Sequence, residues 1–123
     1  MDNIIASIRK HFDIRDESLA ILLSGLKELS VSKKTILIKP DRIDRNIYFV
    51  ENGISRAYTV RDGKEVTSWF SKEGDLLYST NSFHGPVPGY ESETVQVLED
   101  SLLYFMPIDQ LEVLCRSHID IAN

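Results

Sequence analysis

Two turn dipeptides separate three runs of β-favouring residues, and their spacing constrains the fold more than any other feature of the sequence. Asn52-Gly53 follows the apolar run 47–50, and Asp62-Gly63 follows the alternating run 54–60. Asn-Gly and Asp-Gly favour two-residue hairpin turns because both residues tolerate positive φ. The sequence therefore predicts two successive hairpins, with residues 66–70 as the third strand of a meander.

Further β-favouring runs lie on both sides of this meander. They cover residues 29–31, 35–38, 94–97 and 101–106. Many short strands separated by turns are typical of rolls, sandwiches and barrels. We predict a mainly β fold with flanking helices, closed as a β-roll or jelly roll over about residues 29–106.

Helices are predicted at both ends of the chain. Ile4, Ile8 and their apolar neighbours recur at helical spacing over residues 3–12, and Asp16 is placed as the N-cap of a second helix that ends near residue 27. Pro107 suits the first turn of a C-terminal helix, and the lone Cys115 lies on its apolar face as a core residue. We expect a single domain spanning residues 1–123.

Composition and charge exclude several classes of protein. The net charge is −5 and the basic residues are scattered, whereas a nucleic-acid module concentrates them on one face. One cysteine cannot form an internal disulfide or a multi-thiolate cluster, which favours a reducing compartment. No run of eighteen apolar residues and no signal peptide is evident, so we expect a cytoplasmic protein without a membrane partner.

The longest irregular polar segment, within residues 70–97, is the predicted binding region. Irregular segments on rigid β scaffolds commonly carry binding sites. The candidate pocket residues within it are Gly74, Asp75, Tyr78, Ser79, Ser82, Glu91 and Ser92. A small polar or weakly aromatic ligand that is not an anion would suit the hydroxyl, amide, imidazole and aromatic groups of the same segment, which belong to Tyr78, Ser79, Asn81, Ser82, His84, Tyr90 and Ser92. A vestigial pocket, in which these groups only satisfy the loop, is the competing interpretation.

The turn pattern resembles the sensor domain of Crp/Fnr-type transcription regulators. The resemblance lies in residues 47–56, 63–67, 74–75, 82–83 and 97–101. It implies a cyclic-nucleotide-binding-like β-roll, or double-stranded β-helix, that senses a small-molecule effector and acts without enzymatic activity. A homodimer is a further implied partner. DNA would be contacted only through a helix-turn-helix domain, for which no segment of these residues is suited.

The resemblance also implies where a cyclic nucleotide would be held, and the residues depart from that pattern. Binders of this family use Gly-Glu-Leu and then Arg-Ser/Thr-Ala, whereas this chain has Tyr78-Ser79 and Glu91-Ser92-Glu93 at those positions. A carboxylate in place of the arginine repels a phosphate. We therefore expect no cofactor and disfavour cyclic AMP bound in the usual way. A genuine cyclic-nucleotide module that uses backbone donors alone is the first alternative.

A cupin-like metalloenzyme is the alternative from another class. Cupins share the roll, but His11, His84 and His118 lack the spacing that brings metal ligands together. Glu91 and Glu93 have no predicted base or metal beside them, so a solvated face is the preferred interpretation.

Three further side chains carry predictions about the roll itself. Trp69 and Phe70 are adjacent and must point to opposite faces of a strand, with Phe70 assigned to the core and Trp69 to a surface or interface. Arg56 is expected to form a structural ion pair on the roll.

Overall fold

A computed structural model of the chain describes residues 1–40, 44–78 and 93–122, with helices at both ends. The helices are α1 (Asp2–His11), α2 (Asp16–Ser24), α3 (Ile108–Ser117) and α4 (Ile119–Ala122). Ile4 and Ile8 form the buried stripe of α1, as their spacing predicts. Two helix boundaries differ from the prediction: Asp16 is the first residue of α2, after Arg15 as N-cap, and Pro107 is the N-cap of α3.

The described strands form two four-stranded antiparallel sheets. The strands are β1 (Lys27–Val31), β2 (Ile36–Ile38), β3 (Asn46–Asn52), β4 (Ser55–Arg61), β5 (Lys64–Ser71), β6 (Leu76–Leu77), β7 (Thr94–Val97) and β8 (Ser101–Pro107). The first sheet has the order β1-β8-β3-β6 and the second has the order β2-β7-β4-β5. The predicted mainly β fold with flanking helices is thus confirmed.

The two turn dipeptides have different roles. Asp62 and Gly63 have φ of 51° and 76° and join β4 to β5, with Arg61 opposite Lys64, so this hairpin is confirmed. The hairpin predicted at Asn52-Gly53 is wrong, because β3 pairs with β6 and β8 whereas β4 pairs with β5 and β7. The chain uses this turn to pass from the first sheet to the second, and the predicted three-stranded meander is therefore absent.

Two clusters of buried apolar side chains lie on opposite faces of the first sheet. The cluster between the sheets includes Val50, Ala57 and Leu103, and the cluster under the helices includes Phe49 and Met106. Successive residues of a strand point to opposite faces. Strand β3 is therefore buried on both sides, which explains its unbroken apolar run.

The predicted orientations of the adjacent aromatic residues are reversed. Trp69 lies opposite Ala57 and packs on the cluster between the sheets, whereas Phe70 is 65% exposed. Both residues are apolar, so hydrophobic patterning could not decide which one points inward. Cys115 is half-buried on α3 rather than fully buried in the core.

Candidate functional site

The turn between β5 and β6 positions the start of the candidate binding region. Gly74 N–H donates to the Val50 carbonyl (2.7 Å), and Val50 N–H donates to the Asp75 carbonyl (3.0 Å). The Asp75 carboxylate accepts a hydrogen bond from the Lys72 backbone N–H (2.9 Å) and closes the turn. These bonds join the turn to β3 and thereby fix the position at which the following segment begins.

Helix α1 packs directly against the same turn. The Ser7 hydroxyl donates to the Gly74 carbonyl at 2.9 Å. Gly74 has φ of +89°, and a Cβ at this position would lie 2.8 Å from Ser7 Cβ. A side chain would therefore force α1 away, and glycine is required both for the backbone angle and for the close contact.

A pocket of about 240 Å³ lies beside this turn, and its described lining consists of Trp69, Leu76, Tyr78 and Glu93. The Trp69 indole Nε1–H donates to Glu93 Oε1 at 3.4 Å, which joins the end of β5 to the residue before β7. Tyr78 is 46% exposed at the pocket, and Glu93 is half-buried. Two aromatic rings, an aliphatic side chain and a carboxylate thus meet in one concavity. For brevity we call these four residues the aromatic-acidic pocket.

The predicted site residues divide into three groups with respect to this pocket. Tyr78 lines it, and Gly74 and Asp75 form the turn below it. The other four, Ser79, Ser82, Glu91 and Ser92, lie outside the described residues. Binding roles for all seven residues stay predictions.

Sequence reasoning missed Trp69, Leu76 and Glu93 as pocket residues. Glu93 was interpreted as part of a solvated face and Trp69 as a surface residue. A usable signal was the small residue Ala57 on β4, because a small side chain inside a roll leaves space for a large one on the neighbouring strand. Nothing in the sequence pairs Trp69 with Glu93, since 23 residues separate them.

Arg56 lies on the outer face of the second sheet, where it forms the predicted ion pair. Its guanidinium donates to Glu65 Oε1 (2.8 Å) and to Gln96 Oε1 (3.0 and 3.2 Å). It also stacks 4.1 Å above the Tyr58 ring. Its neighbours Ser55 and Ala57 are buried toward the other face, so Arg56 points away from the interior of the roll.

A second, apolar cavity of about 120 Å³ lies between the helices and the first sheet. Its lining is almost entirely hydrophobic and comprises Ile8, Phe12, Ile14, Leu22, Ile47, Phe49, Leu76, Leu111, Asp120 and Ile121. Leu76 lines both this apolar cavity and the aromatic-acidic pocket. One side chain of β6 therefore separates the two concavities.

Two titratable groups near the helical layer and the core have shifted pKa values. The Arg15 backbone N–H (3.0 Å) and the Ser18 hydroxyl (2.8 Å) donate to the Asp120 carboxylate and lower its pKa to about 2. Burial, together with the hydrogen bond from its hydroxyl to Asp44 (2.9 Å), raises the pKa of Tyr48 to about 12. Both groups support the fold and lie outside the aromatic-acidic pocket.

Metal sites and membrane-spanning helices are both absent from the described ranges. In residues 1–40, 44–78 and 93–122, no group of three or more His, Cys, Asp or Glu side chains is arranged to hold a metal ion. None of the helices in that part of the chain is both long and apolar enough to cross a membrane.

The architecture and pocket define a helix-flanked β-roll with a cavity beside its β5–β6 turn. The family model described as the cyclic nucleotide-binding domain matches residues 28–118, and the chain belongs to this family. The resemblance found in the turn pattern is confirmed at this level. No curated protein matches the sequence.

Solved structures with the same fold come from bacterial regulators and from a kinase regulatory domain. The N-terminal domain of a Streptomyces coelicolor transcriptional regulator is 19% identical, with a TM-score of 0.74, and the match covers 89% of this chain and 76% of that one. Thermus thermophilus catabolite activator protein is 18% identical (TM-score 0.73; 89% and 51% covered). The regulatory domain of Toxoplasma gondii PKA, crystallised with cAMP, is 17% identical (TM-score 0.76; 92% and 43% covered). This chain therefore spans about half of the catabolite activator protein.

Proposed function

We propose that this chain is the ligand-sensing, non-enzymatic domain of a cytoplasmic Crp/Fnr-type transcription regulator, and that it does not bind cyclic AMP in the family's usual way. Support for the regulatory class comes from the family match and from the regulators that share the fold. DNA contact then belongs to a helix-turn-helix domain outside these 123 residues. An effector that binds to the roll and a homodimer are both part of the proposal.

The charge of the pocket is the observation that disfavours cyclic AMP. Glu93 lines it, and the sequence has no lysine or arginine between Lys72 and Arg116. A phosphate about 4 Å from a carboxylate is repelled by about 4 kcal/mol at an effective dielectric constant of about 20. Solvent at the half-buried Glu93 reduces this figure severalfold, but the arginine attraction that other binders use is also missing.

An effector in this pocket would act by shifting a conformational equilibrium. The pocket adjoins the β5–β6 turn, and that turn contacts α1 through Gly74 and Ser7. A ligand that prefers one arrangement of turn and helix shifts the population toward it by its difference in affinity. In a longer regulator this shift would reach the DNA-binding domains through the helices.

Titration with cyclic AMP and cyclic GMP tests the proposal directly. Trp69 is the only tryptophan in the sequence, so intrinsic fluorescence reports on the pocket, and calorimetry gives an independent measurement. We expect no saturable signal up to about 1 mM, since a phosphate would meet the repulsion of the Glu93 carboxylate. Trp69→Phe serves as the fluorescence blank.

The alternative is a genuine cyclic-nucleotide module that holds the phosphate with backbone donors alone, and it is favoured by the family to which the chain belongs. Saturable micromolar binding of either nucleotide in both assays would establish this alternative and contradict our proposal.

A further inference from the structure

We propose that the aromatic-acidic pocket binds an organic ammonium ion with an apolar body, such as an arylalkylamine. This inference rests on the proposed function, because it names the class of effector for the same pocket.

The aromatic side chains provide favourable contacts for a cation. Trp69 and Tyr78 both line the pocket, and the faces of tryptophan and tyrosine rings attract ammonium groups through the negative charge of the π system. Leu76 adds an aliphatic surface for the apolar part of a ligand. A purely polar ligand would leave this surface without a partner, whereas an amine with a ring or chain would cover it.

The Glu93 carboxylate supplies the matching charge. Its Oε1 accepts a hydrogen bond of 3.4 Å from the Trp69 indole. A carboxylate has about four acceptor positions, so a carboxylate that is bonded to an indole can also accept from an ammonium donor. A hydrogen bond between two charged groups is shorter and stronger than this neutral-donor contact. The carboxylate and the indole ring therefore favour the same charge in a ligand.

The pocket volume sets the size of the ligand. An engineered protein cavity of about 150 Å³ holds benzene. The pocket of about 240 Å³ therefore has room for one aromatic ring with a short aminoalkyl chain. Phenethylammonium has this size and charge and serves as the probe.

Three probes of the same shape and different charge test the assignment on the whole chain. Phenethylammonium, neutral 2-phenylethanol and anionic 3-phenylpropionate are titrated by Trp69 fluorescence and by calorimetry at pH 7. We expect saturable binding of the cation, at least tenfold weaker binding of the alcohol and none of the anion. Equal affinity for cation and alcohol, or binding of the anion, overturns the assignment.

Two matched variants test whether Glu93 carries the negative charge that binds the ammonium group. Glu93→Gln should weaken phenethylammonium binding about tenfold, since the ion pair is lost while the shape is kept. Glu99→Gln removes the same charge from an exposed residue at the other end of β7 and should leave the affinity within about twofold. If the two variants bind equally, Glu93 is not the partner and the inference fails. Circular dichroism establishes that each variant is folded.

The outcomes also separate this inference from the proposed function. If neither the nucleotides nor phenethylammonium bind, the exclusion of cyclic AMP stands and the ammonium assignment is overturned. If cyclic AMP binds and phenethylammonium does not, both are wrong.

Discussion

Gly53 lies at the point where the chain leaves the first sheet and enters the second. Its φ of +127° is outside the range that L side chains readily adopt. A Cβ built there would lie 2.0 Å from the Ser101 hydroxyl oxygen and 2.6 Å from Ser101 Cβ. The close approach allows β8 to begin directly beside this turn.

Gly53→Ala should therefore destabilise the fold by about 2–4 kcal/mol, because backbone strain and a clash act together. The free energy of unfolding from urea titration measures the effect. Gly63→Ala is the matched control: Gly63 also has positive φ, +76°, but a Cβ there meets nothing within 4 Å.

Gly63→Ala should lower the free energy of unfolding by only about 1 kcal/mol, which is the cost of placing alanine in the left-handed backbone region. If both variants lose the same amount, then contact with Ser101 contributes nothing and the backbone angle explains the whole requirement for glycine.

At the scale of whole elements, α1 is fixed to the roll by a carboxylate from β3. Glu51 is 6% exposed, and its two oxygens accept the backbone N–H groups of Asn3 and Ile4 at 3.1 Å each. The first N–H groups of a helix have no partner within the helix, and the helix dipole favours a negative charge beside them. A strand residue thus caps a helix that follows no local capping pattern.

Glu51→Gln should cost about 1–2 kcal/mol of stability, since one of the two acceptors and the charge are lost. Glu28→Gln, at an exposed position on β1, controls for the change in net charge and should stay within about 0.5 kcal/mol. Chemical denaturation of both variants gives the comparison. Equal stability of the two would show that burying the Glu51 carboxylate offsets what its hydrogen bonds contribute.

Asp120 connects α4 to α2 in a pH-dependent way. Its pKa is lowered from 3.8 to about 2 by the Arg15 backbone N–H and the Ser18 hydroxyl. Because the pKa is lower in the folded state, the carboxylate stabilises the fold fully above about pH 4. That contribution is lost as the pH falls from about 4 towards 2.

Asp120→Asn should accordingly be less stable than the unmodified chain at pH 6, and the difference should shrink as the pH approaches 2. Urea unfolding at a series of pH values between 2 and 6 provides the measurement. Asp13→Asn removes an exposed carboxylate from the loop between α1 and α2 and serves as the control. A stability difference for Asp120→Asn that stays constant across this range would contradict the assignment.

For the molecule as a whole, the sequence predicts the positions of helices and strands well, but it predicts less well which strands pair with each other. The Asp62-Gly63 hairpin was predictable because turn chemistry and strand pairing coincide there. At Asn52-Gly53 the same residue types only form a turn. The strands on either side of that turn pair with distant residues, such as those of β8. Positive φ is a local property, whereas sheet membership is not.

In the candidate site, too, features within one segment were predictable and contacts between distant segments were not. Residues 74–75 lie in the irregular segment that the sequence predicts, and the structure shows the hydrogen bonds that join them to β3. The contact between Trp69 and Glu93 was not predictable, because it depends on the register of β5 against β4 and on the position of β7. One strand residue inserted opposite the Ala57–Tyr58 step shifts that register.

The two concavities of the molecule share one side chain, Leu76. Any movement of this leucine caused by a ligand on one side changes the wall that the other side presents. Xenon is a suitable probe of the apolar cavity, since protein cavities lined by aliphatic and aromatic side chains bind it. Thermodynamic linkage requires that xenon and phenethylammonium change each other's affinity by one and the same factor.

Leu76→Ala should bring that factor towards one, because the shared wall is removed. Xenon chemical shifts and Trp69 fluorescence, each recorded with and without the other probe, measure it from both directions. Affinities that are mutually independent in the unmodified chain would contradict the coupling. Through this single leucine, binding in the apolar cavity under the helices would be coupled to binding in the pocket of the roll.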